Sequence, residues 1–409
     1  MKLYRRENYL RKIRGFYHDD DIIKVITGVR RCGKSSLMQT IAEELRESGV
    51  KEENIIYLDL DKRGNKSITT IDELEKRIDA LTVSKELNYL FIDEIQNVKD
   101  FEILINGYRT DGGWSVFVTG SNSYLLSGEL MTKLTGRYIE FEMFPLSYDE
   151  YEDMKAFYNK PIDTNSLQEL RNYILESGFP RTIFLSDIAD KRTYVQGVIK
   201  EIFEKDIRKR VKIRKKETFE LVRQYIINNF GATTSINNIC EELKKGGNSI
   251  SKATISRYIK ALVDAKILYT CDRFDMKSKK MLSGEKKYYL SDLGFYFAGN
   301  TNNDINYGPV LENIVFTYAR SKDCSVSVGR LGKLECDFIT RNREQNYAYI
   351  QVAYTILSSE KTEDREYRPL EKITDNYPRY VVTTDSLFQK RNGIAHVNLM
   401  DFMQEGREF

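Results

Sequence analysis

The sequence predicts a multidomain α/β protein: a parallel sheet with helices on both faces, then a helical middle, then a second, smaller α/β segment. Three observations predict it. In the first 145 residues, short runs rich in β-branched and aromatic residues alternate with helix-length stretches; the middle is helical and basic; alternation returns after residue 300. A chain of 409 residues, at roughly 100–200 residues per domain, is long enough for two to four domains.

The strand candidates of the first part are KVITG (24–28), NIIYLDL (54–60), LNYLFIDEI (87–95), SVFVTGS (115–121) and RYIEFEMF (137–144), with helical segments such as 35–47 and 70–81 between them. Short, largely apolar runs of this kind suit strands covered on both faces, as in a parallel sheet. From 147 to about 185 the pattern is helical, with Ser147 and Glu150 spaced as a capping box. Residues 219–230, 235–245 and 251–268 read as three helices with very short turns, and 268–275 and 286–292 as two strands around a Lys-rich loop, which is the winged-helix order. Beyond residue 300 come a helix at 308–321, the strands VSVGRL, ECDFITRN and YAYIQVAY, a charged helical stretch after Ser358, and a strand RYVVTTD (379–385). The expected boundaries are therefore 1–146, 147–190, 191–299 and 300–409.

The formal charge of +3 hides a segregation. Residues 191–287 hold 24 basic and 11 acidic side chains, and the rest of the chain is net −10. Local charge governs attraction to polyanions, so the middle segment is the one to ask about nucleic acid. With 41% hydrophobic residues and only 6 Pro, the chain is not broadly disordered. No apolar run follows the basic start, and none approaches the ~18 residues of a membrane span, so a cytoplasmic setting without membrane contact is expected. Five scattered cysteines suit reduced thiols, and two histidines leave almost no raw material for a histidine triad or a Cys/His zinc site.

Residues 28–35 read GVRRCGKS, a complete G-x-x-x-x-G-K-S between a strand and a helix. In this order Gly28, Val29, Arg30, Arg31, Cys32 and Gly33 curl backbone N–H groups around phosphates at a helix N-terminus that begins with Lys34, Ser35 and Ser36. Lys34 reaches the terminal phosphates, and the Ser35 hydroxyl ligates magnesium. Largely apolar residues precede Asp93 and Glu94, so both acids emerge at the carboxyl end of a buried strand. Asp93 is expected to hold a magnesium-bound water and Glu94 to orient or deprotonate the attacking water. The expected cofactors are ATP and Mg²⁺, and the expected activity is hydrolysis.

The succession of phosphate loop, FIDEIQ, VTGSN and LTGRYIEFEMFPLS resembles the AAA-type ATPases, specifically a prokaryotic group of two- and three-part ATPases with a C-terminal restriction-endonuclease-like domain of unknown function. The resemblance covers essentially the whole chain. It implies an AAA-type sheet (1–146) with a helical lid (147–190), and a γ-phosphate sensor at Asn122, with Ser121 as the nearby substitute. It implies that Arg137 acts on a neighbouring subunit's nucleotide, hence a homo-oligomer, and that Arg181 is a second, lid-borne sensor.

In the basic middle, Ile255, Ile259, Leu262 and Val263 recur at helical spacing and are expected to face the core, leaving Lys252, Thr254, Arg257 and Lys260 for double-stranded DNA. The loop between the strands adds Lys277, Lys279, Lys280, Lys286 and Lys287 for phosphate contacts. In the tail, Glu312 on a helix, Asp337 on a strand and Gln351 one strand later resemble the restriction-endonuclease-like nucleases. Gln351 replaces an acid and Ala353 the lysine, so the expectation is a nuclease-like fold without nuclease activity. A lysine displaced to Lys333 or Lys361 would reopen the question of an ATP-regulated nuclease. The reading is a nucleotide-controlled switch that binds DNA; the competing one is a signalling or defence switch whose winged helix and tail bind proteins.

Overall fold

The computed structural model describes residues 2–83, 86–120, 134, 136–209, 211–213, 215–300 and 304–409. They form two compact units, Met1–Phe144 and Pro145–Phe409. Among the described residues no helix is long and apolar enough to cross a membrane.

In the first unit each expected run is a strand: β1 (Ile23–Gly28), β2 (Ile55–Asp59), β3 (Asn88–Asp93), β4 (Trp114–Thr119) and β5 (Tyr138–Met143). They pair in parallel in the order β2-β3-β4-β1-β5. Because β1 sits between β4 and β5, the loop leaving its carboxyl end stands beside the ends of β4 and β3, the position where open α/β sheets bind ligands. Val25, Leu58, Ile92 and Val118 pack with the helices Ile71–Asp79 and Phe101–Asp111, and the rings of Phe91 and Phe117 stack at 4.6 Å. Lys24, one residue into β1 and fully buried, donates to Asp19 O (2.6 Å) and Ser115 Oγ (2.8 Å). Burial pulls its pKa down to about 7.

The second unit opens with the helix Tyr148–Phe157, capped by Ser147 and Glu150 as expected, followed by Ser166–Glu176 and Ile188–Ile202. The helices Lys216–Asn228, Ile236–Lys245 and Lys252–Asp264 then lead into the hairpin β6 (Leu268–Asp275) and β7 (Lys280–Leu290). After the helix Tyr307–Ser321 come β8 (Ser325–Leu331), β9 (Leu334–Arg341), β10 (Tyr347–Val352), the helix Glu360–Glu371, β11 (Arg379–Thr383), β12 (Lys390–Arg391) and β13 (Ile394–Asn398).

The hairpin does not stand alone. All eight strands form one sheet, β12-β13-β11-β10-β9-β8-β6-β7, in which β6 runs parallel to β8 from Arg273↔Val328 to Asp275↔Arg330. Arg273, buried in β6, also donates to Glu335 of β9 at 3.0 Å. A strand edge left unpaired would expose a row of N–H and C=O groups, and β8 satisfies the inner edge of β6. Within the helix Lys252–Asp264, Ile255, Ile259 and Leu262 are buried as expected, whereas Val263 is only half-buried and Tyr258 takes an inward position.

One buried carboxylate ties distant segments of this unit together. Asp292, in the turn after β7, accepts from Ser177 Oγ (2.6 Å), Gly178 N (2.7 Å) and Gly294 N (2.7 Å). A Cβ on Gly178 would lie 2.5 Å from Leu146 O, and one on Gly294 2.6 Å from Asp292 Oδ1, so neither position admits a side chain. Complete burial pushes the Asp292 carboxyl up to about 6 against these three donors. A folded pKa above the unfolded one means the unfolded chain releases its proton first, so this contribution to stability falls as pH rises from about 4 to about 6 and is level above. Urea denaturation is expected to show the advantage of wild type over Asp292→Asn shrinking across that window; an advantage that grows there contradicts the assignment.

Candidate active site

The phosphate loop is built by backbone geometry. Gly28 (φ 142°) and Gly33 (φ 111°) occupy conformations that L side chains rarely adopt, and a Cβ at Gly28 would lie 2.2 Å from Met143 O. Arg31 is also left-handed (φ 70°) and exposed. The helix Lys34–Glu47 starts directly after the loop. Lys34 is buried and its ammonium donates to Gly28 O (3.0 Å) and Val29 O (3.2 Å), which keeps it inside the curl. Ser35 is half-buried and Ser36 exposed on the first turn. Glycine conformations, lysine and hydroxyl thus fit a magnesium-bound nucleoside triphosphate.

Residues outside the motif brace the loop. Arg6 is buried and donates to Cys32 O (3.1 Å) and Phe144 O (2.8 Å), its guanidinium 4.6 Å from the Tyr9 ring, while Phe144 N donates to Tyr9 Oη (3.0 Å). Arg6 thereby joins the loop to the end of β5. Cys32 is fully buried, and burial pushes its thiol up, which marks it as packing.

Asp93 ends β3, buried, and accepts a short hydrogen bond from the Thr119 hydroxyl at the end of neighbouring β4. Thr119 Oγ1 in turn accepts from Glu94 N at 3.2 Å. One hydroxyl therefore orients Asp93 and pins the backbone of Glu94, which needs pinning because it is left-handed (φ 58°). The Glu94 carboxylate accepts from Gln96 Nε2 and lies 3.9 Å from the Arg30 guanidinium. Burial pushes the Glu94 carboxyl above its ordinary range, against the opposing pull of Lys34 and Arg30. A carboxylate raised in this way beside a phosphate loop is suited to accept a proton from water.

Sequence reasoning missed Thr119, Arg6 and Tyr9. A hydroxyl at the end of a strand beside β1 was a signal for Thr119, whereas nothing local marks the other two. Asn122 and Ser121 lie outside the described residues. Arg137 is exposed just before β5, 3.4 Å from Asn106 Oδ1. Arg181 is exposed in the 3₁₀ turn Pro180–Phe184 of the second unit, 5.9 Å from the Phe184 ring.

In the tail, the structure draws Glu312, Asp337 and Gln351 into one buried cluster and corrects the role of a lysine. Lys287, expected among the loop lysines that face phosphates, is 5% exposed and pairs with Glu312 (3.0 Å) and Glu335 (3.2 Å). Side chains alternate along β7, so Lys286 instead turns outward to Asp272 (2.7 Å). Tyr289 Oη donates to Glu312 (2.7 Å), Val352 N to Asp337 (2.8 Å), and Gln351 Nε2 to Glu366 (3.0 Å). Burial and then Glu312 push the Asp337 carboxyl well up, with Lys287 pulling it back. Lys333 and Lys361 are exposed, so the lysine that reaches Glu312 is Lys287, from the hairpin.

Comparison with known proteins accords with this geometry. Residues 20–152 match the model of an AAA domain, and residues 167–304 that of a domain of unknown function, DUF8612. The chain is 32% identical over 403 residues to an uncharacterized protein of Haemophilus influenzae, covering 97% of this chain and 98% of that one. It is 30% identical over 384 residues to the uncharacterized protein MJ1544 of Methanocaldococcus jannaschii, covering 90% and 83%. Among solved structures, the Walker-type ATPase PABY2304 of Pyrococcus abyssi is similar with a TM-score of 0.50 and 15% identity, covering 73% of this chain and 98% of that one. That likeness is one of fold.

Proposed function

This chain belongs to the family of its Haemophilus and Methanocaldococcus relatives and matches an AAA domain over residues 20–152, and we propose that it hydrolyses ATP to control a DNA-binding second unit. The observation that carries hydrolysis, beyond binding, is the Thr119 hydroxyl holding Asp93 and Glu94 together beside the phosphate loop. The backbone amides of 28–34 and the Lys34 ammonium would bind the phosphates; Ser35 and Asp93 would hold magnesium, whose charge would offset that of the phosphate oxygens. Glu94 takes the proton of the attacking water, and Gln96 and Arg30 fix the direction of its carboxylate. Asn122 and Arg181 are proposed as sensors. Arg137, exposed before β5, is proposed to reach a neighbouring subunit of a homo-oligomer, where such arginines contribute on the order of 10³–10⁵ in rate.

DNA is the proposed partner because Lys252, Arg257, Lys260, Lys279 and Lys280 are exposed and none forms an ion pair with a described residue. Thr254 is less available, since its hydroxyl meets Ser251 Oγ at 2.9 Å in the helix cap. Duplex DNA is expected to stimulate phosphate release. Binding is expected to weaken with salt, and Arg257→Ala with Lys260→Ala to lower the slope of log K against log salt by about two, near 0.9 for each phosphate no longer neutralised. Salt-independent binding, or an unchanged slope, counts against it. Engagement of the hairpin in the tail's sheet favours a second reading, in which this segment is a structural clamp for a protein-binding switch. ATP-dependent oligomer size without DNA binding supports that one.

A further inference from the structure

The helix Ile188–Ile202 runs on into a π-helical turn, Phe203–Ile207, and between it and the helix Lys216–Asn228 lies an open cleft of about 490 Å³. Single π turns insert a residue into a helix and are frequent at functional sites. The apolar part of the cleft wall is Ile199, Phe203 and Ala298. Its cations are Lys200, Lys216 and Arg223, drawn from both helices.

Among the described residues the charges on this wall are not balanced. Of the two acids on it, Glu204 is taken by Arg208 at 2.9 Å, outside the lining, which leaves Glu220 against three cations. Glu220 pairs with one nitrogen of Arg223 on its own helix. The Nε of Arg223, on a side chain 18% exposed, is buried and has no hydrogen-bond partner among the described residues. A buried guanidinium N–H left unmatched is costly, and a bound anion or an ordered water would satisfy it. The Lys216 ammonium stands 5.2 Å from the Phe203 ring centroid, and neither it nor Lys200 forms an ion pair with a described residue.

We infer that this cleft is a second ligand site, separate from the phosphate loop, for a small phosphate-bearing molecule of nucleoside monophosphate size. The phosphate meets Arg223 and Lys216, where a planar, multiply donating guanidinium and a point charge complement an anion. The body of the ligand covers Ile199 and Ala298. Volume argues for such a body, because pockets of several hundred Å³ or more with apolar walls are built for whole small molecules rather than single ions. Burial lowers the pKa of Arg223 even with Glu220 beside it, so an arriving anion would relieve a charge the fold leaves under-compensated.

The inference does not depend on hydrolysis, and full-length Lys34→Ala protein separates the two sites by disabling the phosphate loop. Calorimetric titration of that protein with AMP is expected to show one saturable site. Arg223→Gln is expected to weaken it about tenfold or more, the scale of one lost charge-assisted hydrogen bond. Lys216→Ala, exposed at a helix start and harmless to folding, is expected to weaken it as well. Adenosine without phosphate should bind at least about tenfold more weakly, as the phosphate is the anchor. No AMP binding at millimolar concentration, binding indifferent to both substitutions, or inorganic phosphate binding as tightly as AMP would each overturn the proposal.

Discussion

With magnesium and ATP, Glu94→Gln protein is expected to release phosphate at least about 10²-fold more slowly than wild type while still binding ATP, the scale expected for loss of a general base. Glutamine preserves the hydrogen bonds of the site but takes no proton from water. The backbone of Glu94 is held left-handed by Thr119 rather than by its own carboxylate, so the substitution leaves Asp93 and the loop in place. Lys34→Ala should behave differently, losing nucleotide binding itself. Turnover of Glu94→Gln within a few-fold of wild type in a steady-state phosphate assay would remove Glu94 from the chemistry.

Lys287→Met is expected to destabilise the second unit by about 3–5 kcal/mol, the range for stranding buried charges by removing one partner. Burial works against the Lys287 ammonium, yet Glu312, Asp337 and Glu335 raise its pKa above that of an ordinary lysine, so the pairing prevails. Removing the cation leaves Glu312 and Asp337 facing each other in a dry cluster. Adding Glu312→Gln should recover part of the loss, because one acid is then neutral. The neighbouring Lys286→Met, which breaks only a half-exposed pair with Asp272, should stay within about 0.5 kcal/mol of wild type. Urea denaturation compares the three; equal effects for Lys286 and Lys287 would show that the cluster carries no stability.

These two predictions differ in how much the sequence revealed of their residues. Glu94 follows a run of apolar residues in a motif whose meaning is local: consecutive residues end a strand and turn, and a glycine pattern a few dozen residues away announces the phosphates. Lys287 gave the opposite impression. In a segment with lysines on either side it reads as one more exposed charge, and only the alternation of β7 and its pairing within an eight-stranded sheet turn it inward to Glu312 and Glu335. The cation that meets Glu312 thus comes from a part of the chain assigned, by order of elements, to a different module.

The sequence by itself determined the parallel sheet, the phosphate loop from Gly28 to Ser35, the Asp93–Glu94 pair, and most helices and strands of the second unit as far as β11, because each depends on neighbours along the chain: glycine conformations, hydrophobic period and caps. Tertiary structure alone decided the sharing of β6 and β7 with the tail, the bracing of the loop by Arg6, the Thr119 bridge and the Asp292 tie. In each, partners more than twenty residues apart in the chain are brought together, and burial gives the pairing its energy. A local pattern records that a side chain is polar; where it is desolvated, and against which partner, is settled only when the sheets close.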